Sequence, residues 1–268
     1  GKYYESQFEE ATIELLREAH WQYTLGDDIH RKYTDPLIEE DLRNFLAVQY
    51  KDKNLTTSEM DGIVANLRNT GGQNDYYALR NAFLLYRDGY DFAYSDSRDN
   101  PFRMEYIDFE HPDHNIFRCV NQFVMGQGRE NRRPDILLFI NGIPVCIIEL
   151  KNPTKQNATI RDAHTQICTR YMRDIPALLK YCALAVISDG AKNALGTTYT
   201  PFEFFYEWKK IENEDKAGKG LDTLRTLIRG ALSPERILEI LRDYVYFPDP
   251  TKEDDTTEIV CRYPQFFA

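Results

Sequence analysis

The sequence predicts an α/β fold in which a mixed β-sheet is flanked by helices, with additional helices N- and C-terminal to that core. Three observations support this prediction. Amphipathic helical segments fill most of the first 90 residues, short apolar runs bounded by turn residues follow, and helical periodicity returns after residue 200. The 268 residues include 18 Tyr and 15 Phe, which is enough aromatic surface for a substantial core.

The N-terminal helices are predicted from apolar side chains that recur on one face. Residues 8–19 place Phe, Leu and Ala on one side and several glutamates on the other. Three further helices are expected at about 35–49, 58–69 and 75–87, with Ser58 as an N-cap.

The strands are predicted from short runs rich in aromatic and β-branched residues. They are expected at 90–96, 102–109, 117–124, 135–140, 144–150 and 182–188. Asn141-Gly142 lies between two of these runs and is the strongest short-range signal for a β-hairpin. A helix at about 157–172 would provide the crossover to the last strand.

The C-terminal third is predicted to be helical at about 201–211, 219–229 and 234–244. Residues 248–258 are acidic and contain proline, which is typical of a linker.

Composition excludes several classes of protein. The cysteines are five in number and form no CxxC pair, so a zinc ribbon or a disulfide framework is not expected. Cys119, Cys146 and Cys182 have apolar neighbours and are expected to be reduced core residues. No apolar run approaches the roughly 20 residues of a membrane span, and the first residues do not form a signal peptide. A cytoplasmic protein is expected, with no membrane partner.

The net charge of −10 is unevenly distributed. Between Arg118 and Arg173 there are nine Lys and Arg residues against four Asp and Glu residues. A basic segment within an acidic protein could bind phosphate, although ordinary variation in charge along a chain would give the same pattern.

Three charges interrupt the apolar hairpin RPDILLFINGIPVCIIELKNPT (133–154): Asp135, Glu149 and Lys151. Because strand side chains alternate, Glu149 and Lys151 should project to one side and Leu150 to the other. Asp135 precedes the first strand, at the open end of the hairpin. We therefore expect the three groups to converge at one end of the sheet.

This convergence favours phosphodiester chemistry. Two carboxylates and the backbone carbonyl of Leu150 would suit Mg²⁺, which prefers oxygen ligands. A nearby ammonium can stabilise phosphate charge or position an attacking water. The alternative is a hairpin whose ends carry solvated charges.

The two halves RPDILLFING and VCIIELKNP resemble the PD…ExK nuclease signature, in the form found in the N-terminal endonuclease region of type I restriction enzyme R subunits. The segment HTQICTRYMRDIPALLKYCALAVISDGAKNALGTTYTPFEFFYEWKK resembles the part that follows the catalytic hairpin in that family. RYPQFFA (262–268) resembles the start of the family's helicase-type motor. The resemblance implies a restriction-endonuclease-like core in residues 1–247, with a linker and the start of the motor domain in 248–268.

The resemblance also implies roles for individual residues. Asp135 and Glu149 would be metal ligands and Lys151 the catalytic lysine. The family has a glutamine and a tyrosine on the next helix, usually with three residues between them, whereas Gln166 and Tyr171 have four. At about 100° per residue, this separation should rotate Tyr171 off the face of Gln166. Gln166 is expected to touch the lysine or the DNA backbone.

Further candidates lie outside the hairpin and the following helix. The resemblance implies an acidic residue on the first helix, and Glu9 is the candidate because it borders the apolar face. Arg129, Arg132 and Arg133 are expected to contact the DNA backbone; a solvated loop is the alternative.

The function implied by the resemblance is Mg²⁺-dependent cleavage of double-stranded DNA by metal-activated water, leaving a 5′-phosphate. The implied partners are methylation and DNA-specificity subunits, together with an ATP-driven motor in the same polypeptide. GKG at 218–220 lacks the GxxxxGK[ST] spacing, so no ATP site is expected within these residues. Two alternatives remain open: a non-catalytic assembly or docking module with a nuclease fold, and a PD-(D/E)xK nuclease of another DNA-processing system.

His111-Pro-Asp-His114 contains residue types that bind metals. A proline-bearing polar loop explains the segment equally well, and no metal site is predicted there.

Overall fold

The strands of the central sheet lie in the middle of the chain. The computed structural model describes residues 2–126, 131–152, 159–212, 218–248 and 256–268, with side chains from residue 6 onward. The strands in this part of the chain are β1 (Gln22–Leu25), β2 (Tyr90–Phe92), β3 (Phe102–Met104), β4 (Phe117–Asn121), β5 (Ile136–Ile140), β6 (Ile143–Leu150), β7 (Leu184–Ser188), β8 (Asn193–Gly196), β9 (Val245–Tyr246) and β10 (Ile259–Val260). Six of them form a mixed sheet in the order β1-β4-β5-β6-β7-β8.

Helices cover both faces of this sheet. The helices of the described residues are α1 (Lys2–Glu18), α2 (Glu39–Gln49), α3 (Thr57–Asn69), α4 (Asp75–Asp88), α5 (Ile160–Thr165), α6 (Met172–Asp174), α7 (Pro176–Leu179), α8 (Leu221–Leu227), α9 (Pro234–Asp243) and α10 (Tyr263–Phe266). A π-helical turn, Gln166–Tyr171, joins α5 to α6. The predicted α/β class, with a mixed sheet flanked by helices and helical additions, is confirmed.

The sheet separates two apolar layers because neighbouring strand residues point to opposite faces. Along β5, Ile136 and Leu138 pack with the layer that contains α1–α4, α8 and α9. Leu137 and Phe139 pack instead with α5–α7. The charged residues that follow the same alternation therefore face the second layer.

The predicted β5–β6 hairpin forms through Asn141 and Gly142. Both residues have positive φ, at 51° and 77°, as a type I′ turn requires. The Ile38 amide donates to the Gly142 carbonyl at 2.9 Å, and a Cβ on Gly142 would lie 2.1 Å from the Ile38 carbonyl oxygen. Only glycine fits this close approach of α2 to the turn.

Several predicted elements differ in their ends. The predicted N-cap Ser58 lies inside α3, and Thr56 is the cap: its hydroxyl accepts from the Glu59 amide at 3.1 Å, while Glu59 accepts from the Thr56 amide at 2.9 Å. Strand β4 ends at Asn121 because Gln122 adopts a φ of 56°. β1 and β8 were not predicted; each has only four residues, at the edges of the sheet.

The prediction of a helix at 201–211 is wrong. Only Phe202–Phe204 forms a single 3₁₀ turn, and Tyr206 makes a bridge to Leu195 of β8. The Phe205 ring lies against Gly196, and both Phe202 and Phe205 contact the His164 ring edge-on. Packing of these aromatic rings onto β8 outweighs local helical propensity.

The C-terminal segment returns to the core. Residues 249–255 of the predicted linker lie outside the described residues, but Glu258 at its end is buried and β10 pairs with β9.

The predicted core cysteines Cys119, Cys146 and Cys182 are buried and free. No helix in the described ranges is long and apolar enough to cross a membrane.

Candidate active site

Asp135, Glu149 and Lys151 meet at the open end of the β5–β6 hairpin. The Leu150 amide donates to Asp135 Oδ2 at 2.7 Å, which fixes the aspartate beside the end of β6. Lys151 Nζ lies 2.8 Å from Glu149 Oε1. Leu150 packs into the first layer, on the opposite side from its two charged neighbours. The three side chains therefore converge at one end of the sheet, as strand alternation predicted.

Burial makes both carboxyl groups unusually difficult to ionise. Burial and, to a smaller extent, the charge on Glu149 raise the pKa of Asp135 to about 8, against the opposing effects of the Leu150 amide and the Lys151 charge. The Glu149 side chain is 3% exposed, and burial raises its pKa as well, although the Lys151 ammonium opposes the shift. If both carboxyls were ionised, the single ammonium would leave the site short of positive charge.

This shortage is what a divalent cation would correct. The donors are carboxylate oxygens on neighbouring strand ends, beside the backbone of Leu150. Mg²⁺ binds through one or two carboxylates and keeps several waters, so these residues fit it chemically. Asp135, Glu149 and the Leu150 carbonyl are the groups that would hold the ion.

Tyr171 reaches the same carboxylate from the next helix. Its hydroxyl donates to Glu149 Oε2 at 3.1 Å and lies 3.5 Å from the Arg133 carbonyl oxygen. Burial raises the pKa of Tyr171 well above its usual value, and the charge of Glu149 acts in the same direction. The tyrosine is therefore a neutral donor that fixes the orientation of Glu149.

The expectation that four intervening residues would rotate Tyr171 off the face of Gln166 is wrong. It assumed a regular α-helix, whereas Gln166–Tyr171 forms a π-helical turn, which holds one residue more. Gln166 lies close enough to the Tyr171 hydroxyl to lower its pKa. Gln166 Oε1 also accepts from Arg170 at 3.0 Å. Contact of Gln166 with the lysine or the DNA backbone stays a prediction.

Glu9 of α1 faces the same end of the sheet. Its Oε1 accepts from Asn121 Nδ2 at 2.6 Å and from Gln122 Nε2 at 3.2 Å, and its charge contributes to the raised pKa of Asp135. Asn121 pairs with Ile136, the residue after Asp135. The carboxylate on the first helix is thus held next to the cluster by the end of β4.

Asn121 and Gln122 were not predicted as site residues. With Glu9 and Tyr23 they line a cleft of about 330 Å³. The available signal was Asn121-Gln122 at the end of an apolar strand, where a polar pair is unexpected. A cavity of about 900 Å³ lies elsewhere, and Arg68, which lines it, is ion-paired with Asp35 and Glu39.

The three candidate phosphate-binding arginines differ in their surroundings. Arg129 lies outside the described residues. Arg132 is ion-paired with Asp174 at 2.7 Å, and Arg173 and Arg132 together lower the pKa of Asp174 to about 2. Arg133 is exposed and donates to Gln122 at 2.9 Å. Arg133 is thus the most accessible of the described pair.

Comparison with known proteins identifies a matching family and several similar proteins. A family model described as type I restriction enzyme R protein N terminus matches residues 2–204. The type I restriction enzyme HindI endonuclease subunit of Haemophilus influenzae is 28% identical over 276 residues, covering 98% of this chain and 26% of that protein. The putative type I restriction enzyme MjaIXP endonuclease subunit of Methanocaldococcus jannaschii is 27% identical, with coverage of 97% and 26%. This chain spans about a quarter of the length of these relatives.

Proposed function

The chain belongs to the type I restriction enzyme R protein N-terminal family, and on that premise we propose that it is the endonuclease part of an R subunit. It would hydrolyse phosphodiester bonds of double-stranded DNA in the presence of Mg²⁺. The observation that carries the proposal is the meeting of Asp135, Glu149 and Lys151 at one sheet end, with Asp135 fixed by the Leu150 amide.

We propose a role for each of these residues from its contacts. Asp135 and Glu149, with the Leu150 carbonyl, would hold Mg²⁺. When bound, Mg²⁺ supplies positive charge to phosphate oxygens and makes a water molecule more acidic. Lys151, 2.8 Å from Glu149, would orient the attacking water or stabilise the charge that develops on the phosphate. Tyr171 would keep Glu149 in position, with Gln166 beside it.

The neighbouring groups would position the DNA. We propose that Glu9 acts through Asn121 and Gln122 at the edge of the site, because its carboxylate accepts hydrogen bonds from both side-chain amides. Arg133, Arg132 and Arg129 would contact the phosphate backbone. Such contacts are independent of base sequence, so recognition of a DNA site would belong to another subunit.

The chain would be one part of a longer R subunit. Residues 1–247 would form the nuclease domain, and residues 248–268 would lead into an ATP-driven motor. In the complete cytoplasmic complex, cleavage would follow ATP-driven translocation by that motor, together with methylation and DNA-specificity subunits. The coverage of only a quarter of each relative is the support for a longer polypeptide.

The test uses the full-length R subunit in its complex, with DNA, ATP and Mg²⁺. We expect Asp135→Asn and Lys151→Ala each to reduce cleavage by roughly 10²-fold or more while ATP hydrolysis continues. Asp52→Asn and Lys51→Ala, on an exposed turn, are the matched controls. Cleavage at the wild-type rate by both site variants would contradict the proposal and favour a non-catalytic docking module.

A further inference from the structure

A second cluster of metal-binding side chains lies in the loop between β3 and β4. It consists of Asp108, His111 and His114, and one ligand atom from each residue can be chosen so that all three lie within 4.8 Å of one another. The aspartate side chain is 7% exposed, whereas the two imidazoles are 59% and 48% exposed. A buried carboxylate thus anchors two accessible rings.

This cluster is remote from the candidate active site. Asn115 joins the loop to the hairpin turn, since its Oδ1 accepts from the Asp108 amide at 2.9 Å and from Asn141 Nδ2 at 2.9 Å. The candidate active site lies at the other end of the same hairpin. Five residues of β5, at about 3.4 Å each, place roughly 17 Å between the two ends.

The geometry of the three side chains suits a small cation. His114 Nδ1 lies 2.9 Å and His111 Nδ1 3.3 Å from the same atom, Asp108 Oδ2. The rings are stacked, with centroids 4.8 Å apart and an interplanar angle of 21°. A tetrahedral ion at about 2.0 Å from its ligands requires ligand–ligand distances of about 3.3 Å, so small shifts of two exposed rings would bring the three protein ligands into place, with water as the fourth ligand.

Contacts other than those of the imidazoles also fix the shape of the loop. Asp108 Oδ1 accepts from the backbone amides of Glu110 and His111, at 3.0 and 2.9 Å. Asn115 Nδ2 donates to the carbonyl oxygens of Asp108 and Pro112. These contacts hold the backbone in addition to the hydrogen bonds of the two rings with Asp108 Oδ2. Gln49 Nε2 donates to Asp108 Oδ2 at 3.0 Å and orients the carboxylate from outside the trio.

The surrounding charge also favours a cation. Glu105 lines the adjacent cleft, and burial together with the charges of Asp108 and Glu110 raises the pKa of Glu105. Two arginines line the same cleft, but each is ion-paired with its own neighbour, Arg87 with Asp88 at 2.6 Å and Arg242 with Asp243 at 2.9 Å.

We propose that Asp108, His111 and His114 form a binding site for a transition-metal dication of the Zn²⁺ class, separate from the Mg²⁺ site. Two imidazoles and one carboxylate are ligands that Zn²⁺ accepts readily, whereas Mg²⁺ prefers oxygen ligands alone. The bound ion would tie the loop to α2 through Gln49 and to the hairpin turn through Asn115.

The test is Zn²⁺ binding to the metal-free protein in the presence of millimolar Mg²⁺, by calorimetry and thermal unfolding. We expect one Zn²⁺ per chain, a Tm raised by several degrees, and a visible absorption band of tetrahedral geometry when Co²⁺ replaces Zn²⁺. The double variant His111→Gln/His114→Gln should lower the affinity by at least roughly 100-fold, since changes to outer groups alone cost 10- to 100-fold.

Two matched variants make the result decisive. His30→Gln alters another exposed histidine and should bind Zn²⁺ as the wild type does. Asp135→Asn alters the candidate active site and should also retain the Zn²⁺ site. Circular dichroism checks that the double variant is folded. The proposal is overturned if the folded double variant binds Zn²⁺ like the wild type, if Asp135→Asn abolishes binding, or if the wild type binds none.

Discussion

The Tyr171 hydroxyl donates to Glu149 Oε2 at 3.1 Å from a helical turn that holds one residue more than an α-helical turn. The contact links the crossover helix to the end of β6, next to Asp135 and Lys151. Helical periodicity predicted that Tyr171 would lie off the face of Gln166, but its hydroxyl contacts the Glu149 carboxylate of the site.

We expect Tyr171→Phe to weaken the site without unfolding the protein. Loss of the hydroxyl removes one of the groups that orient Glu149, and loss of such a supporting contact typically lowers metal affinity or activity 10- to 100-fold. Mg²⁺ titration of DNA cleavage by the full-length complex measures the effect. Tyr246→Phe, at an exposed position, is the control. An unchanged Mg²⁺ requirement would show that the hydroxyl does not position Glu149.

Deletion of Thr169 tests the π-helical turn directly. Thr169 is exposed, and removing one residue should convert the turn to a regular α-helix while keeping Gln166 and Tyr171 on one face. We therefore expect folding and cleavage close to those of the parent protein. Insertion of one alanine after Thr169 should instead rotate the tyrosine by about 100° and abolish cleavage. Equal loss of cleavage in both variants would contradict this account of the turn.

Asp135→Asn should stabilise the metal-free protein. The raised pKa of about 8 means that the folded state resists ionisation of Asp135, so stability is lost as pH rises from about 4 through 8. Asparagine carries no charge and can still accept from the Leu150 amide. Thermal unfolding in EDTA at pH 5, 6.5 and 8 should show a Tm advantage that grows with pH, at about 2–4 °C for each kcal/mol.

The control for this measurement is Asp52→Asn, which changes an exposed carboxylate. If Asp135→Asn has no Tm advantage at pH 8, or one that shrinks as pH rises, then ionisation of Asp135 does not destabilise the metal-free folded state. Because Asp135 and Glu149 interact closely, the pH midpoint belongs to the pair rather than to one residue.

Glu258→Met should also stabilise the protein at neutral pH. Both carboxyl oxygens are buried without a well-formed hydrogen bond among the described residues, and burial raises the pKa well above its usual value against a smaller opposing effect of Thr197. Stability should fall as pH rises above about 4.5 in the parent and stay flatter in the variant. Thermal unfolding between pH 4 and 8 measures this, with exposed Glu203→Met as the control. Parallel pH profiles would indicate that Glu258 is satisfied in solution.

Much of the central sheet is predictable because its determinants are local. The apolar runs of β5 and β6 with Asn141-Gly142 between them define the hairpin, and strand alternation then brings the charges of 135, 149 and 151 together. Edge strand β1 carries no comparable signal, since QYTL is short and half polar.

The remaining features depend on tertiary contacts. Helical periodicity in the sequence does not predict the π-helical turn. The turn is recognised only in the fold, where it accompanies the contact of Tyr171 with Glu149. The segment around Phe205 has helical propensity, yet its rings find a better surface on β8. The histidines of the second cluster were recognisable in sequence, but Asp108 joins them only through the fold of the loop.

The π-helical turn has a consequence for the comparison of related sequences. One residue gained or lost between the glutamine and the tyrosine can be absorbed locally, leaving the flanking helical faces in register. Such a length change would be neutral under selection for the site. Motif searches that fix the interval at three residues would miss proteins in which the geometry is kept and the spacing is not, and alignments of this helix should allow either length.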